Sequence, residues 1–351
     1  MLSLILAIAT TLGAAVDAPV ALPSAAQVRQ SVERSLVFSE KGAIEWRERW
    51  GCASCHHVAM SIWARNEAKS HGFKIDDQAL DEMRNYTIHD KRAMIGNEEF
   101  LDIYMHLASP AAPKMDDETA AWVKKIAGQI LSKQSADGSW DMNKLRAPPI
   151  VDVNEVKTMQ ALLTLADAHD KGLLDEKTWI ASRDRALAWL GKNKFLDQNQ
   201  SWNLRVLVAQ RFGKPAEVQA LVKQLLEQQN PDGGWSQAKC PTETPKHKVR
   251  RPSDAMATGQ TLYALSTAGV DAQDPALQRA VAFLIRTQAE NGGWQVESRN
   301  ATTGNCPDMM VYHGTNWAAL GLMRTLPIQG DKQASAATPT KAGPAAAEAK
   351  N

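Results

Sequence analysis

The sequence predicts an all-α, single-domain protein in which inner and outer helices alternate. Three observations predict it. The segment Gln134-Ser-Ala-Asp-Gly138-Ser-Trp140 recurs as Gln229-Asn-Pro-Asp-Gly233-Gly-Trp235 and Gln288-Ala-Glu-Asn-Gly292-Gly-Trp294, with the same internal spacing each time. Each copy follows a stretch with helical apolar spacing and precedes a loop and a second such stretch. No segment carries the period-two alternation of a half-buried strand.

Residues 1–26 read as a signal peptide: an apolar, small-residue run over 2–16 is followed by Asp17, Pro19 and Pro23. No Lys or Arg precedes the run, so an uncleaved anchor is the alternative. Either reading makes the protein periplasmic or secreted and exposes its cysteines to an oxidising compartment. No internal apolar run reaches the ~18 residues of a membrane span. The domain itself covers 27–327, with a divergent N-terminal part over 27–115 and clear repeats over 116–327. Residues 328–351 hold almost no large apolar side chain and read as a disordered tail. Lys and Arg number 40 against 39 Asp and Glu, which removes the electrostatic signature of a nucleic-acid binder.

Within the repeats, the first helices, over 122–131, 218–226 and 280–285, carry charge and are expected outside. The second helices, over 156–168, 255–268 and 315–325, are apolar nearly all round and are expected inside. Trp235 and Trp294 stand 59 residues apart, room for two helices and their loops. The Asp-Gly or Asn-Gly before each Trp supplies a left-handed turn that ends the first helix. The Trp ring is expected to cap the joint, and the Gln amide to bond exposed N–H groups of a neighbouring helix. A degraded fourth copy is expected over 196–202, keeping Trp202 without the Gly. Residues 42–72 read as a worn repeat, with a Gly and Trp element, a loop and an inner helix over 55–70.

Gln-x-x-x-Gly-x-Trp repeats between alternating helices resemble the terpenoid-cyclase and protein-prenyltransferase superfamily. The resemblance is clear over 122–326 and implies an α/α toroid whose central apolar cavity takes an isoprenoid lipid. It does not bring the family's catalysts with it. The cyclase Asp-x-Asp-Asp cluster is missing, since Asp76-Asp77 and Asp116-Asp117 lack the leading Asp. The prenyltransferase zinc pair Asp-x-Cys is missing as well. No catalytic residue is therefore assigned.

Cys52-Ala-Ser-Cys55-His56 has the spacing of a c-type haem attachment site. Two thiols on one turn add across the haem vinyl groups, and the adjacent imidazole reaches the iron. Cys52 and Cys55 are the expected thioether links and His56 the proximal ligand, at the mouth where the post-Trp loops gather. A redox dithiol or half of a zinc site are the alternatives, weakened by the lack of a βαβ context and of a second Cys-x-x-Cys. No sixth iron ligand is assigned, and His313 is one candidate.

Cys240 and Cys306 each fall in a loop after a Gly-x-Trp, and each precedes a His by seven positions, His247 and His313. A Cys240–Cys306 disulfide and a Cys2His2 zinc site both fit. Asp152, Asp254 and His313 fall near inner-helix N-termini; the two aspartates read as N-caps or as polar mouth residues, and His313 as a mouth residue. The functional expectation is an exported monohaem c-type protein, transferring electrons to a redox partner protein or sensing a ligand. The alternative is a cyclase-like or isoprenoid-lipid-binding toroid without haem.

Overall fold

The computed structural model describes residues 22–50, 55–89, 115–141, 153–193, 197–237, 252–296 and 307–328. Among them are eleven α-helices and no strand. In chain order these are α1 (Ala25–Trp50), α2 (Met60–Ser70, led in by a π-helical turn at Cys55–Ala59), α3 (Asp77–His89), α4 (Asp117–Ser132), α5 (Asn154–Asp170) and α6 (Glu176–Lys192). Then follow α7 (Asn199–Phe212), α8 (Pro215–Glu227), α9 (Ala255–Thr267), α10 (Pro275–Thr287) and α11 (Pro307–Met323). They form one α/α toroid, with α2, α5, α7, α9 and α11 inside. No described helix is long and apolar enough to cross a membrane.

Burial separates the two rings as the sequence pattern predicts. In α4 only the stripe Thr119, Val123, Ile126, Ala127 and Ile130 is buried, the spacing of a helix that faces the core on one side. In α9 every residue from Ala255 to Leu265 is buried, because outer helices, inner neighbours and the ring axis surround it. Helix starts are set locally. Ser24 and Gln27 form a reciprocal capping box on α1, and Asp116 and Asp175 accept from the N–H of Thr119 and Thr178. Pro275 opens α10 behind its cap Asp274.

The three Gln-x-x-x-Gly-x-Trp joints are superimposable in their bonding. Each indole donates back ten residues to the preceding outer helix: Trp140 Nε1 to Ile130 O at 2.7 Å, Trp235 Nε1 to Leu225 O and Trp294 Nε1 to Leu284 O, both at 2.8 Å. Each Trp backbone N–H donates to a threonine hydroxyl on the following inner helix: Thr158, Thr258 or Thr315. The glycines Gly138, Gly233 and Gly292 have φ of 99°, 92° and 90°, the left-handed region. A Cβ there would meet the carbonyl oxygen of Arg185, Arg279 or Arg34 at 2.3–2.6 Å, so the turn can dock on its neighbour only as glycine.

The glutamine works in the opposite sense from the expectation. Its amide N–H donates to a carbonyl of the next outer helix, Ser182 O at 2.9 Å, Ala276 O at 2.7 Å and Ser31 O at 2.9 Å. Its oxygen accepts from the arginine three residues further on, Arg185, Arg279 or Arg34. The last of these joints closes the ring: Gln288, near the chain's end, clamps α1 at its beginning.

Two expected repeats are not joints. Trp202 lies inside α7 and its indole donates to Asp197 Oδ1 at 3.0 Å, since without a glycine the chain runs straight into the helix. Gly42 and Trp46 lie inside α1, so these two residues form no Gly-Trp turn. The inner helix expected over 55–70 is present, and every residue of α2 from Met60 to Ala68 is buried.

Candidate functional site

The threonines that fasten the joints also fix what faces the ring axis. Two residues along an α-helix is a rotation of about 200°, so a residue two positions past such a threonine points the opposite way. Those residues are Gln160 after Thr158, Gln260 after Thr258 and Trp317 after Thr315, and all three line one axial cavity of about 310 Å³. That volume falls within the range of small-molecule sites.

The cavity wall repeats along three inner helices in one register. It takes Gln160, Leu163 and Asp167 from α5, Gln200, Asn203 and Leu207 from α7, and Gln260, Tyr263 and Thr267 from α9. Leu163, Leu204 and Leu207 make an apolar band along this wall, completed by Trp63 of α2 and Trp317 of α11. Trp63, Tyr263 and Trp317 pack edge to face, with ring centroids 5.1–5.8 Å apart. At the far end the exposed Gln210 and the pair Asp167–Arg211 form the rim.

Burial pushes the Asp167 carboxyl up to about 7, against the pull of Arg211 and Lys171. Arg211 Nη1 lies 3.5 Å from it and the same guanidinium also holds Asp170. Burial likewise pushes the Tyr263 phenol up to about 12, while Arg324 donates to its oxygen at 3.2 Å.

The sequence-predicted site residues divide as follows. Asp254 is the N-cap of α9, accepting from Ala257 N at 2.8 Å. His313 is buried on α11 and accepts from Trp317 Nε1 at 3.2 Å, behind the cavity wall. The backbone of Cys55 and His56 forms the start of the π-helical turn ahead of α2. Cys52, Asp152, Cys240 and Cys306, and the side chains of Cys55 and His56, lie outside the described residues. Among the described residues no group of three or more His, Cys, Asp or Glu is placed to hold a metal ion.

His57, next in the chain, is 1% exposed and stacks on Trp46, with the Tyr312 ring tilted against it at 4.3 Å between centroids. Burial, and then the neighbouring His313, pull its pKa down to about 3. Sequence reasoning missed the cavity stripe itself. The signal was present as Gln-x-x-(Leu, Asn or Tyr)-x-x-x at 160, 200 and 260, polar residues recurring at helical spacing on otherwise apolar helices.

Fold and cavity together define a helical toroid of the cyclase type. The squalene-hopene cyclase C-terminal domain matches residues 141–323, more than half the chain, and the chain belongs to that family. No curated protein matches in sequence. Among solved structures, a Salmonella enterica serovar Paratyphi A protein described as "a possible member of GH105 family" superposes with a TM-score of 0.62 at 11% identity, covering 91% of this chain and 98% of its own. The type II terpene cyclase MstE from Scytonema, solved with its substrate geranylgeranyl dihydroxybenzoate, superposes with a TM-score of 0.54 at 13% identity, covering 86% of this chain and 97% of its own. At such identities these likenesses establish the toroid fold.

Proposed function

We propose that this toroid binds an isoprenoid lipid in its axial cavity. The observation that carries the reading is the apolar band of Leu163, Leu204 and Leu207 walled by Trp63, Tyr263 and Trp317, at the centre of a squalene-hopene cyclase family fold. The electrostatics favour binding over cyclisation. Protonating an alkene needs a strong acid, and Asp167 is a weakened one, raised to about 7 by burial. Below pH 7 it holds its proton and can donate a hydrogen bond.

Two measurements test this. Organic extraction of the purified native protein, read by mass spectrometry, is expected to release a terpenoid. Farnesol is expected to change the intrinsic fluorescence saturably, because Trp63 and Trp317 line the cavity. A protein with nothing extractable and no response to farnesol would end the reading.

A second reading, the exported haem c protein, is supported by the Cys52-x-x-Cys55-His56 spacing and by the backbone position of Cys55 and His56 at the head of an inner helix. These residues supply the two thiols and the imidazole that such a link needs, and a bound haem would bring one-electron chemistry. Haem staining on a denaturing gel, after expression with the haem-attachment machinery, is expected to label the wild type and not Cys52→Ala or Cys55→Ala. An unstained wild-type band removes haem and leaves the lipid reading intact.

A further inference from the structure

The cavity ends on a charged pair whose bonding capacity is only partly used. Arg211 of α7 is the one Lys or Arg among the lining residues, and Asp167 of α5 stands beside it. Their side chains keep 28% and 13% of their surface. Asp167 accepts no hydrogen bond from a described residue, since its contact with Arg211, at 3.5 Å, is longer than such a bond. Arg211 turns Nη2 to Asp170 and Nη1 to Asp167, so its Nε–H has no acceptor among the described residues.

Donors therefore outnumber acceptors at this end, and burial adds one more by keeping Asp167 protonated up to about pH 7. A ligand group that meets them must be rich in acceptors. A hydrocarbon offers none and a hydroxyl a single oxygen. A carboxylate offers two oxygens in the geometry that a guanidinium fork matches. Charge points the same way. With Asp167 neutral, Arg211 and Lys171 face Asp170 alone. The single positive charge left over balances one carboxylate and not the concentrated charge of a diphosphate.

We infer that the cavity takes an isoprenoid acid, its carboxylate lodged between Arg211 and Asp167 and its hydrocarbon body lying against Trp63 and Trp317. This deepens the lipid-binding reading and rests on it. Binding is then coupled to protons. A second carboxylate beside Asp167 favours the protonated form, so above pH 7 binding draws a proton from solvent onto Asp167. The charges acting on Asp167 are Arg211 of α7, and Asp170 and Lys171 at the end of its own helix. From α9 it meets the Tyr263 phenol, which also feels Arg324 and Glu67. His169 turns instead to Glu176 of α6.

The test titrates the full chain with farnesoic acid, farnesol and farnesyl diphosphate. At pH 6 farnesoic acid is expected to bind about tenfold more tightly than either of the others, the effect of one charge-assisted contact. Its affinity is expected to fall about tenfold between pH 6 and pH 8, while that of farnesol stays level. Calorimetry at pH 7.5 in two buffers of different ionisation enthalpy is expected to show uptake of about half a proton or more with farnesoic acid and none with farnesol. Asp167→Asn should bind the acid with no proton uptake and a flat pH profile, and Arg211→Met should weaken the acid and spare farnesol. The wild-type measurements stand even if a variant fails to fold. Equal affinity for acid and alcohol at pH 6, tightest binding of the diphosphate, or no proton uptake would each overturn this inference alone. Failure of all three probes would overturn the lipid-binding reading together with it.

Discussion

Trp317 Nε1 donates to His313 Nε2 at 3.2 Å, so a wall residue of the cavity is held in place by a histidine one helical turn away. The bond requires His313 to be unprotonated on Nε2. Burial secures this by pulling the His313 pKa down to about 4. Loss of the acceptor is expected to loosen the Trp63–Tyr263–Trp317 cluster. In His313→Leu, farnesol affinity should fall several-fold, whereas His313→Gln, which keeps an acceptor, should hold most of it. Equal affinities in the two variants would show that the bond does not position Trp317.

The ring closure gives a stability prediction with an internal control. Gly292 and Gly269 both have left-handed backbones, with φ of 90° and 85°. A Cβ on Gly292 would lie 2.5 Å from Arg34 O, and one on Gly269 would meet nothing within 4 Å. Gly269→Ala therefore carries only the conformational cost, about 1 kcal/mol. Gly292→Ala carries that cost and also pushes the last joint off α1, for about 3 kcal/mol or more in total. Urea unfolding of both variants checks it, and similar midpoints would mean that the joint yields without loss.

The scaffold was legible in the sequence because the repeat places chemically irreplaceable groups at fixed spacing. Only glycine fits over Arg185, Arg279 and Arg34, and each indole has one carbonyl to reach. Where the glycine is lost, the same residue types mislead, and Trp202 and Trp46 are ordinary helix residues. The glutamine's partner was misassigned because a side-chain amide offers a donor and an acceptor, and spacing along one chain does not say which meets the neighbour. The residues that line the cavity escaped notice for a different reason. Gln160, Asn203 and Gln260 come together only when three helices, far apart in sequence, face a common axis. Helical periodicity marks a face without saying that it fronts a cavity.

A buried ion pair behind the same wall should be costly to halve. Arg324 Nε lies 2.6 Å from Glu67 Oε1, and its guanidinium stacks 4.7 Å over the Tyr263 ring. The Glu67 side chain is 2% exposed, so removing Arg324 leaves it in the interior with His71 Nε2, 3.5 Å away, in place of a guanidinium. Arg324→Met is expected to lose about 3 kcal/mol, and Glu67→Gln in the same background to recover part of that. No recovery in the double variant would place the cost in packing against Tyr263 instead of in charge.

The pH dependence of stability sets Asp167 against the two buried histidines. Asp167 is raised from 3.8 to about 7 in the fold, so between those values the folded chain holds a proton that the unfolded chain has lost. Its contribution is full below 3.8 and disappears as pH rises to about 7. His57 and His313 are lowered from 6.5 to about 3 and about 4. There the unfolded chain holds the extra protons, so stability falls as pH drops below 6.5. Over the shared window the slopes oppose and partly cancel. Asp167→Asn cannot ionise and removes one side of the balance. Its unfolding free energy is expected to exceed that of wild type at pH 8 relative to pH 4, by an amount on the order of a few kcal/mol. It should also decline more steeply than wild type between pH 6.5 and 4. Denaturant titrations across that range decide it, and parallel wild-type and variant profiles would show that Asp167 is ionised in the fold like an ordinary surface carboxylate.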